Sequence, residues 1–326
     1  RVLRIQAEFV DPDSDEGDPR PIGVVANGKE PAAAPSLAAM ILNASGDASE
    51  QRALDEALAD VTDVLASERW ENLLADLAER MREPDFWQRP DRHATLARLA
   101  LMDRVKAATG TATSLHERQR KGKERAGRSS RELASRLALQ LYLVKQGIED
   151  VYEEAPVEVA LVVEPALVRP GGEEGDNHDW CTKVLDMYRG WARNRNMQVT
   201  EIANPQQRRL PWLLVSGFGA SRILAPETGL HVMEHEDADG TDRHTARVRV
   251  AAAPLGDLAP DKLRAQIKSR LDALSSNPSI VRRYREAPAP LVRHVNGEAW
   301  RTGKLDAVLR GDFDLIPLSQ ADRQPA

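Results

Sequence analysis

The sequence has a single cysteine, Cys181, and aromatic residues make up only 4% of its 326 residues. One cysteine excludes an internal disulfide, and one thiol cannot build a zinc site alone. No stretch approaches the ~18 uninterrupted apolar residues that a membrane helix requires, and no signal peptide opens the sequence. Glycine and proline, 20 of each, occur at average levels, which excludes collagen-like and wholly disordered chains. We therefore expect a soluble, cytoplasmic protein that needs no cofactor, metal or membrane.

Charge is abundant but nearly balanced. The sequence has 45 lysines and arginines against 51 aspartates and glutamates, a formal net charge of −6. This mild acidity argues against a DNA-binding protein, although net charge does not exclude local basic patches. The length suggests two or three domains.

The first half of the chain predicts a helical domain behind an unrelated N-terminal segment. Residues 1–48 are expected to be a strand, Arg1–Val10, followed by a linker that is rich in alanine, proline and glycine over 27–46. From residue 49, apolar residues recur at helical spacing, which predicts a helical hairpin or bundle over 49–155. One helix is expected from 49 to about 81, a second over 96–105 and a third over 130–154.

A basic segment, 117–128, lies between the second and third of these helices. Six of its twelve residues are lysine or arginine, and Gly122 and Gly127 interrupt it. It is either a solvated helix end or loop, or a patch that contacts phosphates. Its candidate contacts are Arg118, Arg120, Lys121 and Lys123.

After Pro156 the apolar period changes from helical spacing to two, which predicts short strands at 157–163, 199–202, 212–218, 230–235 and 246–252. Helices are expected over 179–194 and 260–275. The fold class is therefore α+β: a helical domain, a mixed α/β domain over 156–256, and a C-terminal helix and tail over 257–326.

Three patterns could carry chemistry. His231, Glu234 and His235 match the H-x-x-E-H order of one metalloprotease class, but a strand followed by an acidic turn fits the local sequence better than the helix that class requires. Cys181 is a buried thiol or, less plausibly, a nucleophile. Basic residues at two places suit either nucleic-acid contact or a strand edge: Arg243, His244, Thr245, Arg282 and Arg283.

Several short motifs in the same order resemble those of bacterial peptide chain release factors, most closely release factor two. The similar segments are spread over roughly 50–318. They are Glu83-Pro84-Asp85-Phe86-Trp87 with Pro90-Asp91-Arg92; Gly171-Gly172, Asp179-Trp180, Met187-Tyr188 and Trp191-Ala192; Glu227–His231; Arg243-His244-Thr245; and Val281–Tyr284, Leu291-Val292, Thr302-Gly303 and Leu305–Asp312.

The resemblance implies a release-factor-like scaffold, a role in translation termination and binding to the ribosome. Two functional segments of the family are missing. The stop-codon-reading Ser-Pro-Phe tripeptide has no counterpart in the acidic interval 232–242, and no Gly-Gly-Gln, the family's hydrolytic motif, occurs anywhere in the sequence.

These observations leave several hypotheses open. The first is a catalytically inactive, degenerate homologue with no catalytic residues, which acts as a regulator by binding the ribosome or RNA, or by binding a protein through its helical domain or N-terminal segment. The alternative is an active release or ribosome-rescue factor with a substitute catalytic group. A remote third is metal-dependent hydrolysis through His231, Glu234 and His235.

Overall fold

The computed structural model describes residues 34–126, 130–166, 174–204, 210–237, 240–254, 258–274, 278–295 and 299–321. The expected strand Arg1–Val10 lies outside these residues. The helices in the described part are α1 (Leu37–Asn43), α2 (Ala48–Leu65), α3 (Glu68–Arg82), α4 (Arg92–Ala126), α5 (Arg131–Glu153), α6 (Glu174–Asn194), α7 (Ala220–Leu224), α8 (Pro260–Asp272), α9 (Leu305–Ala307) and α10 (Leu315–Ala321). The strands are β1 (Glu158–Pro165), β2 (Gln198–Ile202), β3 (Trp212–Ser216), β4 (Gly229–Asp237), β5 (Gly240–Ala252), β6 (Ile280–Arg285), β7 (Leu291–His294) and β8 (Trp300–Thr302).

The helical layer follows the expected spacing. Apolar residues three or four apart on α5, among them Leu137, Leu141 and Val144, are fully buried against α2 and α4. The second helix is much longer than the spacing predicted, because α4 continues through the basic segment to Ala126. All described residues belong to one compact unit, and the domain boundaries at 48, 155 and 256 stay predictions.

Two expectations about this layer are wrong. The helix expected over 49–81 is broken into α2 and α3, because the Ser67 side chain accepts from the Trp70 backbone N–H and starts a new helix. Part of the expected linker over 27–46 is also helical, because Ser36 caps α1 in the same way. Ala38 of α1 packs against Tyr142 of α5 and Leu315 of α10, so this segment joins the two layers.

The second layer is an eight-stranded sheet in the described residues, with the strand order β2-β3-β1-β5-β4-β6-β7-β8. Neighbouring strands are antiparallel except β4 and β6, which are parallel. The observed strands confirm the mixed α/β character of this half. Helix α6 starts at Glu174, five residues before the expected start, and covers what we call the inner face of the sheet.

The outer face is only partly covered. Helix α8 packs through Ile267 and Leu271 on Ala160, Val162 and other apolar residues of the first strands. Beyond β5, the outer face of β4, β6, β7 and β8 has no helix over it in the described part of the chain.

Two glycines permit the C-terminal turn, Val308–Asp312, to lie directly on α6. A Cβ atom on Gly190 would lie 2.5 Å from the carbonyl oxygen of Arg310. Gly311 has φ of +103°, a conformation that side chains disfavour, and a Cβ atom there would lie 2.1 Å from the backbone nitrogen of Trp191.

This close approach predicts opposite effects for the same substitution in two helices. Gly190→Ala forces α6 and the C-terminal turn apart, and we expect it to lower the free energy of unfolding by about 1–3 kcal/mol. Gly110→Ala in α4 meets no atom within 4 Å and should raise that free energy by up to about 1 kcal/mol, since alanine is the better helix former. Urea unfolding followed by circular dichroism measures both. Equal effects for the two variants would contradict the close contact.

Candidate functional site

Residues of three family-like motifs meet in one buried polar cluster, which we define as Tyr188, Glu227, His231, Arg282 and Tyr284. Tyr188 comes from α6, Glu227 and His231 from the start of β4 and the turn before it, and the other two from β6. All five are nearly or completely inaccessible to solvent. Strand alternation directs His231, Arg282 and Tyr284 to the inner face, towards α6.

An ion pair is at the centre of the cluster. Arg282 Nη2 lies 2.6 Å from Glu227 Oε1, and the hydroxyl of Tyr188 donates to Glu227 Oε2 at 3.1 Å. Burial opposes the charge on Arg282, but the facing Glu227 carboxylate raises the pKa of the guanidinium above its ordinary value. The guanidinium also lies over the rings of Trp300 and Phe313.

The hydrogen bonds fix the tautomer of His231. Its Nε2 lies 3.2 Å from the Glu227 backbone carbonyl, which only accepts, so Nε2 carries the proton. Nδ1 therefore accepts from the Tyr284 hydroxyl at 2.9 Å. Burial, reinforced by the nearby positive charge of Arg282, lowers the pKa of His231 to about 3.

The cluster joins α6, β4 and β6 and has no open approach from solvent. Its imidazole and carboxylate are occupied by partners inside the protein. Buried polar groups that satisfy one another in this way fix the packing of the elements that carry them. These five residues therefore form a structural centre and not a binding surface.

This placement corrects the prediction that Arg282 contacts RNA. Its side chain is 1% exposed, and its charge is paired with Glu227. The adjacent Arg283 points to the outer face, where its side chain is 33% exposed and lies 2.5 Å from Glu234. Of the two adjacent arginines, only Arg283 could reach a ligand.

The metalloprotease-like pattern does not converge on one point. Glu234 lies on the outer face of β4 and binds Arg283, whereas His231 and His235 belong to the inner face. Three ligands of one zinc ion must point at the same position, which alternation along a strand prevents here. Within the described residues, no three histidine, cysteine, aspartate or glutamate side chains are placed to hold a metal ion.

Cys181 is buried on the inner face and does not have the environment of a nucleophile. It is fully inaccessible, and burial, together with the charge of Glu164, raises the pKa of its thiol to about 12. A thiol that remains protonated near neutral pH is a poor nucleophile.

The predicted triplet Arg243, His244 and Thr245 lies on β5, in the hairpin with β4. Arg243 is exposed and its Nε lies 3.6 Å from Glu234. The His244 ring packs edge-on against that of His235, with 4.9 Å between ring centroids, at a small pocket of about 160 Å³. The Thr245 backbone N–H donates to Asn177 Oδ1. Strand alternation therefore places Arg243 and Thr245 on the outer side of β5, whereas His244 packs towards α6.

The four predicted basic residues of the helical layer are all on the last three turns of α4. Arg118, Arg120, Lys121 and Lys123 are exposed, and Arg120 forms only a distant, solvent-exposed pair with Glu124 at 4.0 Å. Such exposed pairs contribute little to stability. These cations are available to a partner.

Two features were missed by sequence reasoning. A cleft of about 470 Å³ lies between the helical layer and the sheet, lined by cations such as Arg80 and Arg98 and by carboxylates such as Glu154 and Glu158. Its mixed charge favours no particular ligand. The second is a group of arginines on the outer face, whose signal, alternate arginines along β5, is visible in Arg247-Val248-Arg249.

Comparison with known proteins gives one weak sequence relationship. The chain is 23% identical over 216 residues to peptide chain release factor 2 of Nautilia profundicola, a match that covers 62% of this chain and 58% of that protein. The chain thus spans less than two thirds of the length of that relative. No family model matches.

Among solved structures, release factor 2 of Thermus thermophilus matches with a TM-score of 0.39 at 17% identity, covering 78% of this chain and 94% of that one. No helix in the described part of the chain has the length and apolar character needed to cross a bilayer.

The buried ion pair predicts unequal roles for two adjacent arginines. Arg282→Gln leaves the Glu227 carboxylate buried without its cation, and we expect a loss of about 3–5 kcal/mol in the free energy of unfolding. Arg283→Gln removes a partly exposed pair, for which about 0–1 kcal/mol is expected. Urea unfolding at neutral pH compares the two, and similar losses would show that Arg282 is not the buried partner.

The buried histidine predicts acid sensitivity. The pKa of His231 is about 3 in the folded protein and near 6.5 in the unfolded chain. Between these values only the unfolded chain binds the extra proton, so the free energy of unfolding decreases as the pH is lowered. From pH 7.5 to pH 5, the wild-type protein should lose about 2 kcal/mol more than His231→Gln, which has no imidazole to titrate. Urea unfolding at both pH values tests this, and parallel losses would contradict it.

Proposed function

We propose that this chain is a release-factor-like protein that binds the ribosome and regulates translation without hydrolysing peptidyl-tRNA. The observation that carries the proposal is a contrast within the fold. The buried cluster brings together residues of three family-like motifs, whereas the sequence has no Gly-Gly-Gln and no Ser-Pro-Phe tripeptide between β4 and β5. The sequence similarity to release factor 2 supports the link with translation.

The codon-reading segment of the family corresponds to the hairpin between β4 and β5. Asp237 pairs with Gly240, so only Ala238 and Asp239 connect the strands. The interval carries acidic residues at 237, 239 and 242 and lacks serine, proline and phenylalanine. Carboxylates repel the phosphates of messenger RNA. This hairpin supports a protein that does not recognise stop codons.

The hydrolytic segment of the family corresponds to the connection between β5 and α8. Only residues 253–259 lie between Ala252 and Pro260. Positioning a water molecule at an ester requires a donor group that reaches the reacting atoms. With seven residues and no Gly-Gly-Gln, the connection supports an inactive protein.

The basic end of α4 is the part of the helical layer best suited to ribosomal RNA. Its four exposed cations, Arg118, Arg120, Lys121 and Lys123, lie close together on consecutive turns. Phosphate contacts of this kind give salt-dependent, sequence-independent binding.

We expect the purified chain to co-sediment with 70S ribosomes at low salt, to dissociate as salt is raised, and to release no labelled peptide from peptidyl-tRNA in the same tubes. Release that depends on a stop codon would establish the alternative, an active release or rescue factor. Absence of binding at low salt would overturn the ribosomal proposal and favour a protein partner.

A charge variant sharpens this test. Replacing the four α4 cations by glutamine should weaken ribosome binding and flatten its salt dependence. A matched control replaces Arg52, Arg69, Arg82 and Arg136, which lie elsewhere on the helical layer, by glutamine and should leave the salt dependence unchanged. Equal weakening by both sets would indicate an effect of net charge alone.

A further inference from the structure

Three arginines stand side by side on the uncovered outer face of the sheet. Arg283 on β6 pairs in register with Arg293 on β7, and Arg293 pairs with Arg301 on β8. We call these three the arginine row. Because neighbouring strands lie about 4.8 Å apart, the backbone positions of the row span about 10 Å.

The row is unfavourable to the isolated fold. Like charges directly opposite one another on paired strands destabilise a sheet. Arg283 is offset by Glu234, but within the described residues neither Arg293 nor Arg301 forms an ion pair, and both are exposed. A repulsive arrangement that the protein does not neutralise is what a polyanionic ligand would stabilise.

Further arginines lie on the outer side of the strands next to the row. Register places four more arginines on this side: Arg243, Arg247, Arg249 and Arg285. Arg243 lies near Glu234. Arg249 pairs with Glu164 and with Asp272 of α8, so it belongs to the part of the outer face that α8 covers. In the described part of the chain, the three guanidinium groups of the row face one carboxylate, that of Glu234, so the row is positive although the whole chain carries −6.

We call the row together with Arg243, Arg247 and Arg285 the arginine face, and we propose that it binds the phosphate backbone of an RNA double helix. The proposal rests on the proposed function and names the surface and the RNA form that would serve it. The planar guanidinium group matches phosphate in two-point hydrogen bonds, which explains arginine in preference to lysine here. Strands β5, β6, β7 and β8 carry arginines and no lysine.

The side chains around the arginines indicate whether the RNA would be single-stranded or a duplex. Single-stranded RNA is held mainly by bases that stack on exposed aromatic rings. In the described part of the chain the exposed large aromatic side chain is Trp87, in the helical layer, and Trp300 stacks on His294 on the inner face. A flat surface of cations without stacking rings suits a duplex read by its backbone.

The test is fluorescence anisotropy with the full chain and a labelled RNA duplex of about 16 base pairs across a salt series. The variant is Arg293→Gln with Arg301→Gln. Losing two phosphate contacts should make the slope of log affinity against log salt shallower by about 1.8. This corresponds to roughly 60-fold weaker binding at 0.1 M salt. The matched control, Arg52→Gln with Arg82→Gln on α2 and α3, removes the same charge and should leave the slope unchanged.

A thermal melt distinguishes a ligand surface from a structural one. Since the variant relieves repulsion, it should melt at the same temperature as the wild type or higher, while RNA binding falls. Arg293→Lys with Arg301→Lys should recover much of the salt dependence. A lower melting temperature together with unchanged RNA binding would overturn the proposal.

The outcomes separate this proposal from the previous one. If the wild type sediments with ribosomes but does not bind the duplex, or binds single-stranded RNA more tightly, the arginine face is not a duplex-binding surface and the proposed function stands. If duplex binding depends on the arginine row but ribosome binding is absent, the proposed ribosomal function is wrong and the RNA-binding role of the row is supported. Binding that the two variant pairs weaken equally would overturn the assignment of the row.

Discussion

The ion pair between Arg282 and Glu227 is the constraint around which the sheet layer is arranged. Burying a guanidinium group costs free energy unless a carboxylate and further hydrogen-bond partners surround it. Those partners come from separate elements, so α6, β4 and β6 must all be in place before the charge is satisfied. The aromatic rings of Trp300 and Phe313 bring the C-terminal elements to the same point.

This constraint distinguishes the buried cluster from the exposed surface of the protein. Replacing a residue of the buried cluster leaves a buried charge or hydrogen-bonding group without its partner, whereas exposed residues such as Arg293 and Arg301 can change at little cost to the fold. Similarity in the motifs that supply the cluster is therefore evidence about the fold. Function must be argued from the exposed surfaces, because a fold alone does not determine it.

Much of the architecture could be predicted from local patterns. Regular spacing found α5, and alternation found all of the strands between β1 and β5. Two predictions were wrong because capping side chains were overlooked. Ser36 starts a helix where composition suggested a linker, and Ser67 starts a second helix where one was predicted. The roles of Arg282 and Arg283 could not be assigned, because the pairing of β4 and β6 shifts register between Leu230 and His231. The arginine row could not be predicted either, because it depends on which strands pair and in which register, and no single segment determines that.

The contact between α1 and α10 has a consequence for how the chain acquires its structure. The two helices come from opposite ends of the described chain and share a small apolar core with Tyr142. During synthesis, α1 emerges long before α10, so its apolar side chains have no complete docking site until nearly the whole chain has been made. Closing so long a loop is entropically costly and slow, which places this contact late in folding. The nascent chain therefore carries an exposed apolar segment that α10, or a chaperone, must cover.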